Sequence, residues 1–201
     1  FPEFKIQFIR EVQNGQMEEK QEKVTMSERE NVVTIVRKAT CVQLQAIEET
    51  KKELSYSQLV RIGKWIAEAT CVDFYVYDMN VYLAEYGRSQ FFHAGKVANV
   101  LSATNIQGLQ AAMPAEGHIA ILISHTGENE RLVEIAKMLK RNKTKIIVMT
   151  AKRNGSIASF ADELLYAAAQ KKVEELWNSM FFASGKYLLD ILYGMEFSRK
   201  Y

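Results

Sequence analysis

Cysteine is scarce in this sequence, and no long apolar run is present. Two cysteines, Cys41 and Cys71, among 201 residues are too few for the disulfide framework of a small secreted domain, so we expect two buried, reduced thiols. There is no Cys-x-x-Cys pair, and the three histidines show no ligand spacing, so no metal and no cofactor is expected. No apolar run reaches the roughly 18 residues that span a bilayer, and the first residues lack the basic-then-apolar pattern of a signal peptide.

A marked excess of either charge is also missing. The chain has 26 Lys and Arg against 24 Asp and Glu, a formal net charge of +2, which is too balanced for a protein whose whole surface grips nucleic acid. Charged residues make up 25% and hydrophobic residues 48%, which are ordinary values for a globular chain. The length suits one α/β domain. Because the first residue is Phe rather than Met, we expect a fragment or a processed chain.

The first part of the sequence has helical patterns separated by a polar segment. Apolar residues recur every four positions over 1–13, which predicts an amphipathic helix, and the charged segment 14–26 is typical of a linker. Ser27 and Ser55 each begin a capping box. These boxes predict two helices, which begin at the serines and reach about residues 52 and 70.

From residue 71 onward, strand and helix patterns alternate. The strand patterns are apolar runs, as expected for strands buried on both faces, and their alternation with helices indicates a parallel sheet. We therefore predict an α/β fold, a doubly wound five-stranded parallel sheet flanked by helices, with ligands outside the carboxyl ends of the strands. The predicted strands lie at 72–78, 97–103, 118–124, 145–151 and 163–169, and the helices at 81–95, 106–113, 127–142, 156–162 and 173–195.

The segment after the third predicted strand carries the strongest functional signal. A buried strand ends at Ser124, Thr126 and Gly127 follow, and a helix begins. Hydroxyls and unpaired backbone N–H groups then converge at the positive end of a helix dipole, which favours phosphate or another anion. Gly127 lets a ligand approach the backbone closely. The alternative is that Thr126 only caps its own helix, and His125 is either a donor to the anion or an exposed spectator.

The segment Ser124-x-Thr126-Gly127-Glu128-Asn129 resembles the Ser-x-Ser-Gly-x-Thr signature of the sugar isomerase (SIS) domain. The opening FPEFKIQFIRE is similar to the tail of the helix-turn-helix domain of RpiR-type transcriptional regulators, in which a SIS domain follows. The resemblance implies a SIS domain with flavodoxin-like strand order. The domains that it implies are a helix-turn-helix remnant at 1–13, a linker at 14–26 and a SIS domain with its leading helices at 27–201.

The family holds an effector phosphate between the loops after the first and third strands. The resemblance therefore also implies a set of phosphate-binding residues. The residues implied by position are Ser124, Thr126, Gly127, Glu128 and Asn129, with Asn80 and Tyr82 from the first loop. In that first loop, Asp78-Met79-Asn80-Val81-Tyr82 stands in place of the family's Gly-x-Gly-x-Ser. Asn80 can still adopt a left-handed conformation. Asp78 is expected to oppose a phosphate by roughly 3 kcal/mol at about 6 Å and an effective dielectric of about 20.

The function that the resemblance implies is that of a cytoplasmic regulator without catalytic residues. Its SIS domain would bind a phosphorylated sugar or related carbohydrate derivative and modulate DNA binding through the helix-turn-helix domain, not through this fragment. A homodimer or a dimer of dimers is expected, because the helix at 27–52 and the aromatic-rich last helix present much apolar surface. The alternatives are a phosphosugar aldose–ketose isomerase with Glu128 or His125 as general base, and a dimerisation module whose sugar site has decayed. His118, at the start of a strand, is interpreted as inert.

Overall fold

The computed structural model of the chain describes residues 30–169 and 176–199. Within them lies a five-stranded parallel sheet in the order β2-β1-β3-β4-β5. This order confirms the predicted doubly wound α/β fold and its flavodoxin-like arrangement. The strands are β1 (Cys71–Val76), β2 (Ala98–Leu101), β3 (His118–Ile123), β4 (Lys145–Thr150) and β5 (Glu163–Tyr166).

Helices cover both faces of this sheet. They are α1 (Val32–Lys52), α2 (Tyr56–Glu68), α3 (Asn80–His93), α4 (Thr104–Ala112), α5 (Glu130–Arg141) and α6 (Trp177–Phe197), with a 3₁₀ helix at Ser156–Phe160. One core joins the sheet to α2, α3 and α6 and includes Phe74 and Leu188. The other core joins it to α4 and α5 and includes Tyr75 and Leu122. Both faces of β1 and β3 are therefore covered, which explains their nearly unbroken apolar sequences.

The start of α1 differs from the prediction, whereas the start of α2 agrees with it. Asn31 rather than Ser27 caps α1, because its side chain accepts a hydrogen bond from the Thr34 N–H at 2.9 Å. Glu30, the partner of Ser27 in the predicted capping box, is not helical. Ser55 is the N-cap of α2, as predicted. The helix and the linker predicted before Ser27 lie outside the described residues.

The C-terminal elements also end at different places than predicted. β5 ends at Tyr166, and the apolar residues beyond it turn to α1, where the Ala168 N–H donates to the Thr50 hydroxyl at 3.0 Å. The short helix predicted at 156–162 is a 3₁₀ helix, and α6 continues to Phe197. These differences shorten or extend elements without changing their order.

α1 lies against α6, the last helix. Val42 and Ala46 form a small core with Met180, and the Ser184 hydroxyl of α6 donates to the carbonyl of Ala46 at 3.2 Å. Elsewhere α1 exposes apolar side chains, which are Val32, Val33, Ile35, Val36 and Leu44. Among the described residues, no helix is both long enough and apolar enough to pass through a bilayer.

Candidate functional site

The loops after β1 and β3 leave the carboxyl edge of the sheet side by side. β1 and β3 are neighbours, and the helices that follow them, α3 and α5, pack on opposite faces of the sheet. Doubly wound folds bind ligands in the crevice at such a switch point. The predicted residues 124–129 form the loop after β3, and residues 77–82 follow β1.

Two hydroxyl groups organise the backbone of loop 124–129. The Ser124 hydroxyl, in a residue only 3% exposed, accepts a hydrogen bond from the Gly127 N–H at 3.1 Å. The hydroxyl of Thr126, which is exposed, accepts from the Glu128 N–H at 3.3 Å. A hydroxyl that accepts a hydrogen bond keeps its own O–H proton. Each hydroxyl therefore keeps a proton to donate, and of the two residues it is Thr126 that is exposed.

Position 127 requires glycine, both for its backbone conformation and because there is little space for a side chain. Its φ is +68°, a left-handed value that side chains disfavour. A Cβ atom here would lie 3.2 Å from the Thr150 hydroxyl and 3.3 Å from the Gly155 Cα. The Gly127 carbonyl also accepts from the Ile157 N–H at 3.1 Å. Loop 124–129 is thus fixed against the segment that follows β4.

Asn129 caps α5. Its side-chain oxygen accepts a hydrogen bond from the Leu132 N–H at 3.1 Å. The capping role that was an alternative for Thr126 therefore belongs to Asn129, and the oxygen of Asn129 is engaged with its own helix. The Asn129 NH₂ group remains a donor, and the first N–H groups of any helix have no partner within it. The start of α5 keeps the character of an anion site.

Glu128 turns away from its own loop toward the segment after β4. Its carboxylate pairs with the Lys152 ammonium and accepts hydrogen bonds from the Ser156 hydroxyl and from the Ser156 N–H, the latter at 3.2 Å. Lys152 first, and then Ser156, hold the pKa of Glu128 down to about 2. The carboxylate that was assigned to the phosphate site is therefore already occupied by partners within the chain.

The loop after β1 does not take the conformation expected of it. Asp78, which is exposed, has the left-handed φ of +53°, whereas Asn80, expected to be able to adopt it, is the first residue of α3. Tyr82 is 72% exposed and lines an open groove with Tyr86 and Lys186. None of residues 124–129 lines this groove. Tyr82 therefore opens onto a groove that loop 124–129 does not line.

His125 attaches loop 124–129 to α6. Its ring stacks on Phe181, with centroids 4.4 Å apart and planes inclined by 18°, and its centroid lies 3.8 Å from that of Trp177. Burial among these rings lowers the pKa of His125 to about 4, so it is neutral at pH 7. It is half-buried rather than an exposed spectator. Sequence periodicity could not reveal this contact, because it depends on how α6 docks.

A second group of polar side chains lies at the amino edge of the sheet, far from loop 124–129. His118, interpreted as inert from the sequence, has its Nδ1 atom 2.7 Å from a carboxylate oxygen of buried Asp73. The Cys71 thiol is close to the other oxygen of Asp73. Cys71 is buried as expected, whereas Cys41 is exposed on α1, contrary to the expectation. Sequence patterns did not reveal this group, because its members are brought together by the register of β1 against β3.

The chain is similar in sequence to transcriptional regulators. It is 21% identical over 151 residues to the HTH-type transcriptional regulator HexR of Escherichia coli, and this match covers 75% of the chain and 51% of HexR. The chain therefore spans about half the length of this curated relative.

Two solved structures share the fold of the chain. NanR of Vibrio vulnificus, in complex with ManNAc-6P, matches with a TM-score of 0.74 and 17% identity over 83% of this chain and 63% of that chain. A Methanococcus jannaschii protein, for which a function as 3-hexulose-6-phosphate isomerase was inferred, matches with a TM-score of 0.64 and 19% identity. That second match covers 80% of this chain and 90% of that protein.

The family of the chain is shown by a sequence match that is much longer than the motif at 124–129. The sequence pattern of the SIS domain matches residues 80–186, which is more than half of the chain. This stretch begins with α3, contains loop 124–129 and ends within α6. The resemblance seen in Ser124–Asn129 is thus confirmed, and the chain belongs to the SIS domain family.

Proposed function

We propose that this chain is the effector-sensing SIS domain of a bacterial RpiR-type transcriptional regulator. It binds a phosphorylated sugar or a related carbohydrate derivative and thereby modulates DNA binding by a helix-turn-helix domain, in the cytoplasm. Loop 124–129 carries the proposal, because its two hydroxyls retain their protons and the start of α5 stands beside them. The similarity to HexR and to NanR with ManNAc-6P supports the DNA-binding role and the class of effector.

The two candidate bases for an isomerase are poorly suited to catalysis. A general base works best when its pKa lies near the working pH. The pKa of Glu128 is held at about 2, and its carboxylate is engaged with Lys152 and Ser156. The pKa of His125 is lowered to about 4. These values favour sensing over aldose–ketose isomerisation, and turnover of an aldose phosphate to its ketose, followed by NMR, would contradict the proposal.

Calorimetry with matched ligands tests the proposed effector class. A panel of phosphorylated sugars that includes ManNAc-6P should yield binding, and the unphosphorylated form of each bound sugar should bind more weakly. Thr126→Ala should reduce the affinity by about 2–10-fold, the worth of one hydrogen bond. Ser57→Ala removes an exposed hydroxyl in the first turn of α2 and should leave the affinity unchanged.

Three outcomes of this calorimetry would contradict the proposed sensing role. Equal affinities for phosphorylated and unphosphorylated sugars would show that no phosphate is recognised. An affinity that Thr126→Ala does not alter would remove loop 124–129 from the site. If no sugar of the panel binds, the alternative of a dimerisation module with a decayed sugar site would be preferred.

A homo-oligomer, either a dimer or a tetramer, is part of the proposed function. The apolar residues Val32, Val33 and Val36 lie close together on α1 and are 74%, 78% and 57% exposed. Exposed apolar patches of this kind mark contact surfaces between proteins. Light scattering at micromolar concentration measures the mass directly, and a monomeric mass would contradict this part of the proposal.

A further inference from the structure

Three side chains able to ligate a metal project from one face of β1 and β3 at the amino edge of the sheet. Cys71 and His118 are register partners at the starts of the two strands, and Asp73 lies two residues further along β1, on the same face. The His118 Nδ1 atom is 2.7 Å from Asp73 Oδ2, and the Cys71 Sγ atom is 3.7 Å from Asp73 Oδ1. One ligand atom from each residue lies within 4.8 Å of the others.

This cluster is almost closed to solvent. Cys71 and Asp73 are 4% and 2% exposed, while the His118 side chain is 18% exposed and leaves a path of access. A buried carboxylate needs a compensating positive charge or strong hydrogen bonds. Within residues 30–169 and 176–199, the only ion-pair partner of Asp73 is His118, which is charged only when protonated.

We propose that Cys71, Asp73 and His118 bind one divalent, thiophilic cation of the zinc type, with a fourth position open to water. Thiolate, imidazole and carboxylate are the ligand types that Zn²⁺ takes in proteins. One thiolate and one carboxylate neutralise one divalent cation, so the loaded site buries no net charge. On binding, the S–H bond of Cys71 breaks and its proton leaves to solvent, while His118 carries its proton on Nε2 and presents Nδ1 to the cation.

Two neighbouring amide side chains support this ligand geometry. The Asn99 Nδ2 atom donates to Cys71 Sγ at 3.3 Å and to Asp73 Oδ1 at 2.9 Å. The Gln110 Nε2 atom donates to Asp73 Oδ2 at 3.5 Å. Outer hydrogen bonds of this kind orient metal ligands. Because Asn99 belongs to β2 and Gln110 to α4, a cation here would connect four elements of the fold.

Cobalt(II) tests this site, because it substitutes for zinc and its bond to a thiolate gives a charge-transfer absorption band. Titration of the reduced, metal-free chain with Co²⁺ should produce this band and saturate at one equivalent, and Zn²⁺ should abolish it. The chain has two cysteines, so the matched variants are simple. Cys71→Ser should lose the band, whereas Cys41→Ser, at the exposed cysteine, should keep it.

Two further measurements test the site without relying on the correct folding of Cys71→Ser. Asn99→Ala should weaken Co²⁺ binding by about 10–100-fold with an unchanged circular dichroism spectrum. Binding at pH 7 to the wild-type chain should release about one proton per cation.

A wild-type chain without the thiolate band, or a band that survives Cys71→Ser, would overturn the proposal. The three residues would then be a hydrogen-bonded polar cluster only. Because this readout does not involve loop 124–129, its failure would leave the proposed sugar sensing untouched.

Discussion

Replacing Gly127 by Ala tests whether loop 124–129 is held in the conformation described. The new methyl group would have to accept the left-handed φ of +68° and approach Thr150 and Gly155 at 3.2 and 3.3 Å. Thr150 is buried and Gly155 contributes a backbone atom, so neither neighbour has much freedom to move. The substitution should therefore destabilise the folded chain.

The size of the effect of Gly127→Ala follows from three contributions. A left-handed conformation costs an L-residue about 1–2 kcal/mol, and overpacking adds about 1 kcal/mol at its low end. Ala also restricts the unfolded chain, which stabilises the folded state by about 0.5 kcal/mol. The free energy of unfolding should fall by about 2 kcal/mol, which lowers Tm by about 4–8 °C in a chain of this size.

Thermal unfolding followed by circular dichroism measures the effect of Gly127→Ala against a matched control. Gly194 lies within α6, has an ordinary φ, and a Cβ atom there would meet nothing within 4 Å. Gly194→Ala should leave Tm unchanged or raise it, because Ala is the better helix former by about 1 kcal/mol. If Gly127→Ala melts as high as Gly194→Ala, the left-handed, crowded conformation of loop 124–129 is refuted.

Three further changes concern charged or titrating groups near the candidate site. Lys152→Met should raise the pKa of Glu128 from about 2 toward its ordinary range, measured by carboxyl NMR titration. The free energy of unfolding should fall as the pH drops from about 6.5 to about 4, because His125 protonates more readily in the unfolded chain. His125→Phe should flatten this pH dependence, which urea unfolding measures. Asp78→Gly should raise the free energy of unfolding by up to about 1 kcal/mol, measured with urea, because its φ is +53°.

Each of these three changes has a contradicting result. A Glu128 pKa that stays near 2 in Lys152→Met would show that Ser156 alone holds the carboxylate. An unchanged pH profile in His125→Phe would show that the stacked imidazole is not buried in solution. A loss of stability in Asp78→Gly would show that the aspartate side chain makes a contact that outweighs its backbone conformation.

Local patterns were enough to predict most of the fold from the sequence. The apolar runs at 118–124 and 145–151 are buried strands because both faces of the sheet are covered, and Ser55 caps α2 because its signal acts within one turn. Competing local signals produced the error at α1, where Asn31 is an equally good cap four residues after Ser27. The apolar run beyond Tyr166 is buried by α1 rather than continued as a strand.

The candidate site was predictable only where its residues are consecutive. Ser124 and Thr126 could be recognised because the motif and the turn into a helix lie in one segment. The partners of Glu128 come from the loop after β4, and those of His125 come from α6. The approach of His118 to Asp73 depends on the register of β1 against β3. Such contacts are set by long-range packing, which no short sequence pattern encodes.

Because α1 contacts α6 mainly through its C-terminal half, a tilt of α1 at this contact displaces its N-terminal end the most. The buried residues Val42, Ala46 and Thr50 of α1 lie in its C-terminal half, so about ten residues, from Val42 back to Val32, extend roughly 15 Å from the pivot. A tilt of about 10° there would swing Val32 by about 3 Å, from the same helical rise. Since His125 stacks on α6, a small movement of loop 124–129 that tilts α6 would be magnified at the end of α1 nearest the N-terminal part of the chain.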